Sequence, residues 1–355
     1  MNAVEYPMWT WIAFFVVVLT ALAVDLLIVN RKPHAPSRRE TFTWSAVWIS
    51  LALGFNVFIY FVVRNYYDAA AAAFKAKEFF TGYLIELSLS VDNLFVFLLI
   101  FGYFKVPKIF QHRVLFWGIM GALVMRMIMI FVGAELVERF HWILYVFGAF
   151  LIYTGIKMFS EDEEGFDPEK SRMVSLATRF IPFTKTYEGN NFLIKVDGKT
   201  TGTLLLLVLI IVELSDLMFA VDSIPAIFGI TTDKFIVYTS NIFAILGLRT
   251  FFFLLADLAD TFHYLKYGLA FILTFIGVKM LLPLAAEGLI MVWGAESHTG
   301  FAGFLHNYLN HAYKQTEINI SLSVVVIALT VSVILSLIFP SHKMEEIVEE
   351  IESDK

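Results

Sequence analysis

Nine apolar stretches of about twenty residues, divided by short polar segments, set the pattern of this chain: roughly 9–29, 43–63, 80–103, 113–133, 141–159, 203–229, 235–256, 263–285 and 318–339. A helix of that length crosses the hydrocarbon core of a bilayer. The pattern therefore predicts an all-α polytopic membrane protein with about nine transmembrane helices. Two of the stretches break the apolar rule in the same way. TGYLIELSLSVDNLFVFLLIF, residues 81–101, carries Glu86 and Asp92, and LLLLVLIIVELSDLMFAVDSIPAIF, residues 204–228, carries Glu213, Asp216 and Asp222. Each ionised acid at the centre of a spanning helix opposes insertion by roughly 2.5–3.5 kcal/mol, so five unpaired ones would oppose it by more than roughly 12 kcal/mol. Acids so placed face a bundle interior or an aqueous cavity and bind something.

The two acidic stretches are parts of a repeat. Matching VDN with VDS sets Asp92 against Asp222 and Glu86 against Asp216. Downstream, ILYVFGAFLIYTGIKM (143–158) matches LKYGLAFILTFIGVKM (265–280) without a gap, pairing Gly155 with Gly277 and Lys157 with Lys279, while Arg126 and Arg249 recur in the middle spans. Each unit, spans 3–5 and spans 6–8, has an odd number of crossings, so the second unit is inverted relative to the first, the plan of many secondary transporters. The expected organisation is an N-terminal two-helix hairpin (1–78), a first repeat (79–159), a loop with a β-hairpin at Asp197-Gly198 (160–202), an inverted second repeat (203–286), an external loop (287–317), a last span (318–340) and an acidic tail (341–355).

Charge orients the chain. Arg31, Lys32, Arg38 and Arg39 follow the first span, the reverse of a signal peptide, and place that loop in the cytoplasm and the N-terminus outside. Loop 160–202 and the C-terminus then fall in the cytoplasm, and the basic 64–79 segment fits least well. The composition, 59% hydrophobic and 16% charged, excludes a soluble domain, and the net charge of −6 lacks the basic patch that nucleic acid requires. There are no cysteines, which removes disulfides and thiolate metal sites.

The polar groups within the spans are almost all oxygen donors: the five acids, with Ser88, Asn93, Ser215, Ser223 and Asn241 as secondary donors. Such a set suits hard divalent cations. Glu213 and Asp216, three apart, share a helix face. Glu86 and Asp92, six apart, point about 120° from each other on an ideal helix. For both to reach one ion the helix would have to unwind, and Pro225, which frees the Val221 carbonyl beside Asp222, predicts a discontinuity in the second repeat. Two plainer readings stand beside this one. Arg126 and Arg249 neutralise carboxylates as buried structural ion pairs, and Lys157 and Lys279 snorkel from span ends. Neither a GxGD, an HExxH nor a Walker-type motif is present, so no enzymatic activity and no tightly bound cofactor are expected.

ELSLSVDN and ELSDLMFAVDSIPAIF, followed by SNIFAILGLR and FIGVKM, resemble the TerC family of integral membrane proteins, in particular its Alx-type branch, from about residue 10 through 285. The first motif departs from the family's EKSLAVDN, with Leu87 and Ser90 in place of Lys and Ala, which removes a counter-charge beside Glu86. The resemblance implies a bacterial inner-membrane protein that exports Mn²⁺, with a link by name to tellurite resistance. Since a buried carboxylate without its cation takes up a proton and metal binding displaces protons, exchange of metal for protons is expected. The rival expectation is a non-transporting scaffold or metal sensor whose 160–202 loop docks a protein partner.

Overall fold

The computed structural model describes residues 4–25, 38–160, 182–184, 186–196, 199–256, 264–293 and 313–339. Its helices are α1 (Met8–Val24), α2 (Arg38–Tyr66), α3 (Ala69–Tyr103), α4 (Lys108–Arg139), α5 (Ile143–Ser160), α6 (Leu204–Phe228), α7 (Lys234–Leu246), α8 (Leu248–Ala256), α9 (Leu265–Trp293) and α10 (Lys314–Ile338). Seven are long and apolar enough to cross a membrane. The shorter apolar helices α1 and α7, the latter continued by α8 beyond Gly247, complete the nine predicted spans. The protein is an all-α, multi-pass integral membrane protein.

Local chemistry sets the ends. Where a loop was expected at 64–79, α2 runs to Tyr66 and α3 starts at Ala69. Five consecutive alanines, the best helix formers, follow Asp68, whose Oδ1 accepts from Ala71 N at 2.7 Å and caps the helix. At its other end α3 closes in a Schellman motif, with Val106 N donating to Phe101 O at 2.9 Å and Lys105 N to Gly102 O at 3.1 Å. Lys105 takes the left-handed position, φ 49°, that glycine usually fills. α9 carries on past the expected boundary at 286 to Trp293, and α10 begins at Lys314, so the expected external loop 287–317 is helical at both ends. Residues 294–312, the acidic tail and residues 161–181 of loop 160–202 lie outside the described residues. Strands β1 (Leu193–Val196) and β2 (Lys199–Gly202) pair antiparallel, with Val196 opposite Lys199 on either side of Asp197-Gly198.

Two further expectations about the backbone are corrected. α6 runs through Pro225 without interruption, and α3 is continuous across Glu86 and Asp92. The discontinuity falls instead at Gly247, a turn between α7 and α8. Here a glycine does what the proline was expected to do: helix propensity is lowest there apart from proline.

The repeat, direct in sequence, is inverted in space. A Cβ built on Gly277 of α9 would lie 2.6 Å from Gly148 O and 2.9 Å from Ile152 N of α5. One built on Gly155 of α5 would lie 2.7 Å from Ala270 O of α9 and also against Thr274. In the gapless match of 143–158 with 265–280, Gly148 corresponds to Ala270, Ile152 to Thr274 and Gly155 to Gly277. The contacts therefore map onto themselves when the repeats are exchanged, which requires α5 and α9 to run antiparallel about a local two-fold. Small residues at the crossing let the backbones approach. Elsewhere the repeats interlock, α3 packing on α7 and α4 on α6. α3 is the axis of the bundle, with α2, α6, α7, α8, α9 and α10 all against it. Aromatic rings from Phe14, Phe55, Phe79, Phe235 and Phe243 fill the space where α1, α2, α3 and α7 meet.

Candidate ion-binding site

Glu86 is the central residue of α3, Asp216 is the central residue of α6, and Arg126 lies just past the middle of α4. The three meet. Arg126 Nη2 and Nε donate to Asp216 Oδ1 and Oδ2 at 3.1 and 3.4 Å, and Arg126 Nη1 forms an ion pair with Glu86 Oε1. Arg126 and Glu86 are each 1% exposed and Asp216 4%, so the triad is buried. Glu86 and Asp216 are the acids that repeat matching makes equivalent, and one guanidinium joins them. The fork of five N–H donors suits this task, since it engages one carboxylate with two bonds and still reaches the next.

Glu213 sits one turn from Asp216 on the same face of α6 and also points to α4. Its half-buried carboxylate rests in the space left by Gly121, where a Cβ would overlap it. Nearby, Gly118 lets Val212 approach, a Cβ there falling 3.3 Å from Val212 Cγ1. Asp222 turns the other way: its Oδ1 accepts from Thr154 Oγ1 of α5 at 3.3 Å. Asp92 is half-buried on α3, six positions beyond Glu86, and does not join the triad. Among the described residues no three His, Asp or Glu side chains converge as a metal-holding group. The predicted acids thus divide into a central pair held by Arg126, Glu213 beside it, and Asp92 and Asp222 toward the α3 and α6 ends.

Of the secondary donors, Ser88 and Ser215 turn back to their own helices, donating to Leu84 O at 2.6 Å and Ile211 O at 2.8 Å. Asn93, Ser223 and Asn241 are 5%, 1% and 0% exposed, and Asn93 Nδ2, Ser223 Oγ and Asn241 Oδ1 have no hydrogen-bond partner among the described residues. Buried polar atoms are rarely left so. Asn93 and Ser223 follow the two matched aspartates, so the unpartnered atoms themselves obey the repeat. The side chain of Arg249 is not among those described; its backbone lies in α8, directly after the Gly247 break.

Reading the residue types missed three things. Gly121 and Thr154 hold acids of α6, and neither carries a signal by itself. Lys279 does not snorkel: its Nζ donates to Gly229 O at 3.2 Å and Ser321 Oγ at 3.1 Å, tying α9 to the end of α6 and to α10. A second charged cluster, Lys75 with Glu78 and Asp233, was not singled out at all. Lys75-x-x-Glu78 at helical spacing, and Asp233 as the cap residue of TTDKF, are signals that point to it.

A multi-pass bundle with an inverted repeat and a buried carboxylate–guanidinium triad at its centre has counterparts in sequence. Residues 71–344 match the integral membrane protein TerC family, and the chain belongs to that family. It is 50% identical over 285 residues, 79% of this chain and 88% of the relative, to the "Putative membrane-bound redox modulator Alx" of Escherichia coli (strain K12). It is 48% identical over 270 residues, 76% of this chain and 82% of the relative, to the "Uncharacterized membrane protein STKORF319" of Myxococcus xanthus. An "Uncharacterized membrane protein" of Rickettsia felis is 43% identical over 271 residues, 76% of this chain and 87% of the relative. No solved structure matches the chain.

Proposed function

We propose that this protein is a transporter that exports a divalent metal cation, Mn²⁺ foremost, across the bacterial inner membrane in exchange for protons, with the N-terminus outside and the C-terminus in the cytoplasm. The observation that carries the reading is the meeting of Glu86 and Asp216, equivalent centres of two inverted repeats, on one buried guanidinium. Two carboxylates against one guanidinium leave a net negative charge in a buried site, and the Glu213 carboxyl lies beside them. Such charge is retained where a cation or proton balances it in turn. In the conformation described, Arg126 takes the place of the cation. Metal binding on this account requires Arg126 to leave one or both acids, which Glu86, Glu213 and Asp216 then offer to the ion together with Asp92, Asp222 and the oxygens of Ser88, Asn93, Ser215, Ser223 and Asn241. Oxygen donors without thiolate or imidazole favour Mn²⁺, Mg²⁺ and Ca²⁺ over Zn²⁺ and Cu²⁺. Arg126 and Arg249 act beside the ligands, holding or releasing carboxylates. No enzymatic step and no resident cofactor enter this reading.

A second reading has an observation in its favour. The triad pairs Arg126 with two carboxylates as a structural ion pair would, as a scaffold or metal sensor would need, with loop 160–202 docking a partner. Deleting that loop abolishes function under the scaffold reading and spares metal flux under the transporter reading; Asp92→Asn and Asp222→Asn do the reverse. The name of the E. coli relative points to redox chemistry, but a chain without cysteines offers no thiol route to it. Proton exchange is tested by collapsing the pH gradient across proteoliposomes: Mn²⁺ flux falls if the exchange holds and is unchanged if it does not.

A further inference from the structure

A cavity of about 1250 Å³ opens at the end of the bundle where α1, α3, α5, α7 and α10 start and α2, α4, α6 and α9 finish. Its lining holds six carboxylates against four lysines, a surplus of acidic side chains that concentrates cations. The lining reaches Glu78 on α3 and stops short of Glu86, Arg126 and Asp216. Glu86 lies eight positions further along α3, about 12 Å at the helical rise.

At that inner limit one lysine ties the repeats together. Lys75 Nζ of α3 is 2.8 Å from Glu78 Oε2 and 2.7 Å from Asp233 Oδ2, in the turn between α6 and α7. Asp233 is fixed from two sides. Its Oδ1 caps α7, accepting from Phe235 N at 3.1 Å and Ile236 N at 3.3 Å, and its Oδ2 accepts from Tyr6 OH at 3.2 Å. Tyr6 belongs to the segment before α1 and stacks on Phe235, ring centroids 4.3 Å apart. Burial, and next the Asp233 carboxylate, hold its phenol above the ordinary tyrosine range, so it stays a neutral donor. The lysine, unlike the arginine of the central triad, is a single point charge on a flexible stem and can exchange partners.

We propose that this cavity, at the outer end of the bundle in the orientation proposed above, is the exit vestibule of the exported cation and that the Lys75 bridge between Glu78 and Asp233 is its inner latch, which must open before a cation held at Glu86 and Asp216 leaves through it. The inference rests on the transporter reading for its purpose, but the latch itself is measurable without transport. The natural absence of cysteine makes the test clean. Thr81, fully buried between Glu78 and Glu86 on α3, is replaced in the full-length protein (Thr81→Cys) and its reaction with a charged, membrane-impermeant thiol reagent is timed in lipid nanodiscs. With Lys75 in place the reaction is slow. Lys75→Met speeds it about tenfold, the change that a shift of about 1.4 kcal/mol in the opening equilibrium produces. Asp233→Asn does the same, because asparagine keeps the α7 cap and removes only the charge. Lys75→Arg retains the bridge and stays slow. Equal rates in all four proteins overturn the latch. Flux in the Thr81→Cys protein, measured in parallel, separates the two ideas: faster labelling without flux leaves the latch standing and removes its transport role, and flux with invariant labelling leaves transport standing without this gate.

Discussion

Among the described residues, a basic side chain joins acids of both repeats at the centre and at one end of the bundle, and the two places differ in burial and in the shape of the cation. At the centre, Arg126 grips Glu86 and Asp216 in a buried site; at the end where α3 starts, Lys75 spans Glu78 and Asp233 at the floor of a cavity, with 13% of its side chain exposed. A planar, multiply bonded guanidinium in a desolvated site fixes geometry. An ammonium with water at hand exchanges partners. The comparison teaches that the same charge count yields a rigid centre or a movable latch according to the shape of the cation and its distance from water.

The largest effect should come from breaking the centre. Arg126→Met leaves two buried carboxylates without a counter-charge and should destabilise the protein by about 3–5 kcal/mol, read as a lowered unfolding temperature in detergent. Adding Glu86→Gln and Asp216→Asn to that variant removes the orphaned charges and should recover most of the loss. A triple variant as unstable as the single one would contradict the triad as the seat of the effect. Next comes the crossing on which both repeats turn. Gly277→Ala puts a methyl group between Gly148 O and Ile152 N, backbone that cannot give way, and should cost about 1–3 kcal/mol. Gly54→Ala in α2, with nothing within 4 Å of the added Cβ, serves as its control and should be neutral or slightly stabilising. Opening the latch with Lys75→Met should cost less than Arg126→Met in the same melt, because a group with access to water recovers part of its solvation. The smallest change expected is a gain: Lys105→Gly relieves the left-handed strain at the end of α3 by about 1 kcal/mol and should raise the melting temperature.

Much of the fold was legible because a membrane imposes length. Runs of twenty apolar residues mark the spans, and Gly155 with Gly277 marks the axis of the repeat. The start of α3 was not legible from hydropathy, since five alanines are nearly neutral to water yet strongly helical. The Gly247 break was hidden for a related reason: glycine within an apolar run leaves the hydropathy signal intact, while the proline at 225 attracts notice and is absorbed by a helix end. For the site, spacing placed Glu213 and Asp216 on one face, and both do look to α4. Spacing along one helix cannot name the neighbour it meets, so the joining of Glu86 to Asp216 through Arg126 emerged only in three dimensions. The latch was missed because Lys75, Glu78 and Asp233 lie near helix starts, where charged residues are common and raise no alarm.

The central claim is that equivalent acids of the two repeats form one path for a divalent cation. It is tested most directly by Mn²⁺ flux in proteoliposomes under an imposed pH gradient, comparing the wild type with Glu86→Gln and Asp216→Asn, each reconstituted to equal amounts of folded protein. The account predicts flux in the wild type and its loss, by about a hundredfold or more, in both variants, the effect of removing one partner from a buried charge pair. Wild-type flux that survives either substitution would contradict a shared central site, and no flux in the wild type would return the triad to the structural role of a scaffold.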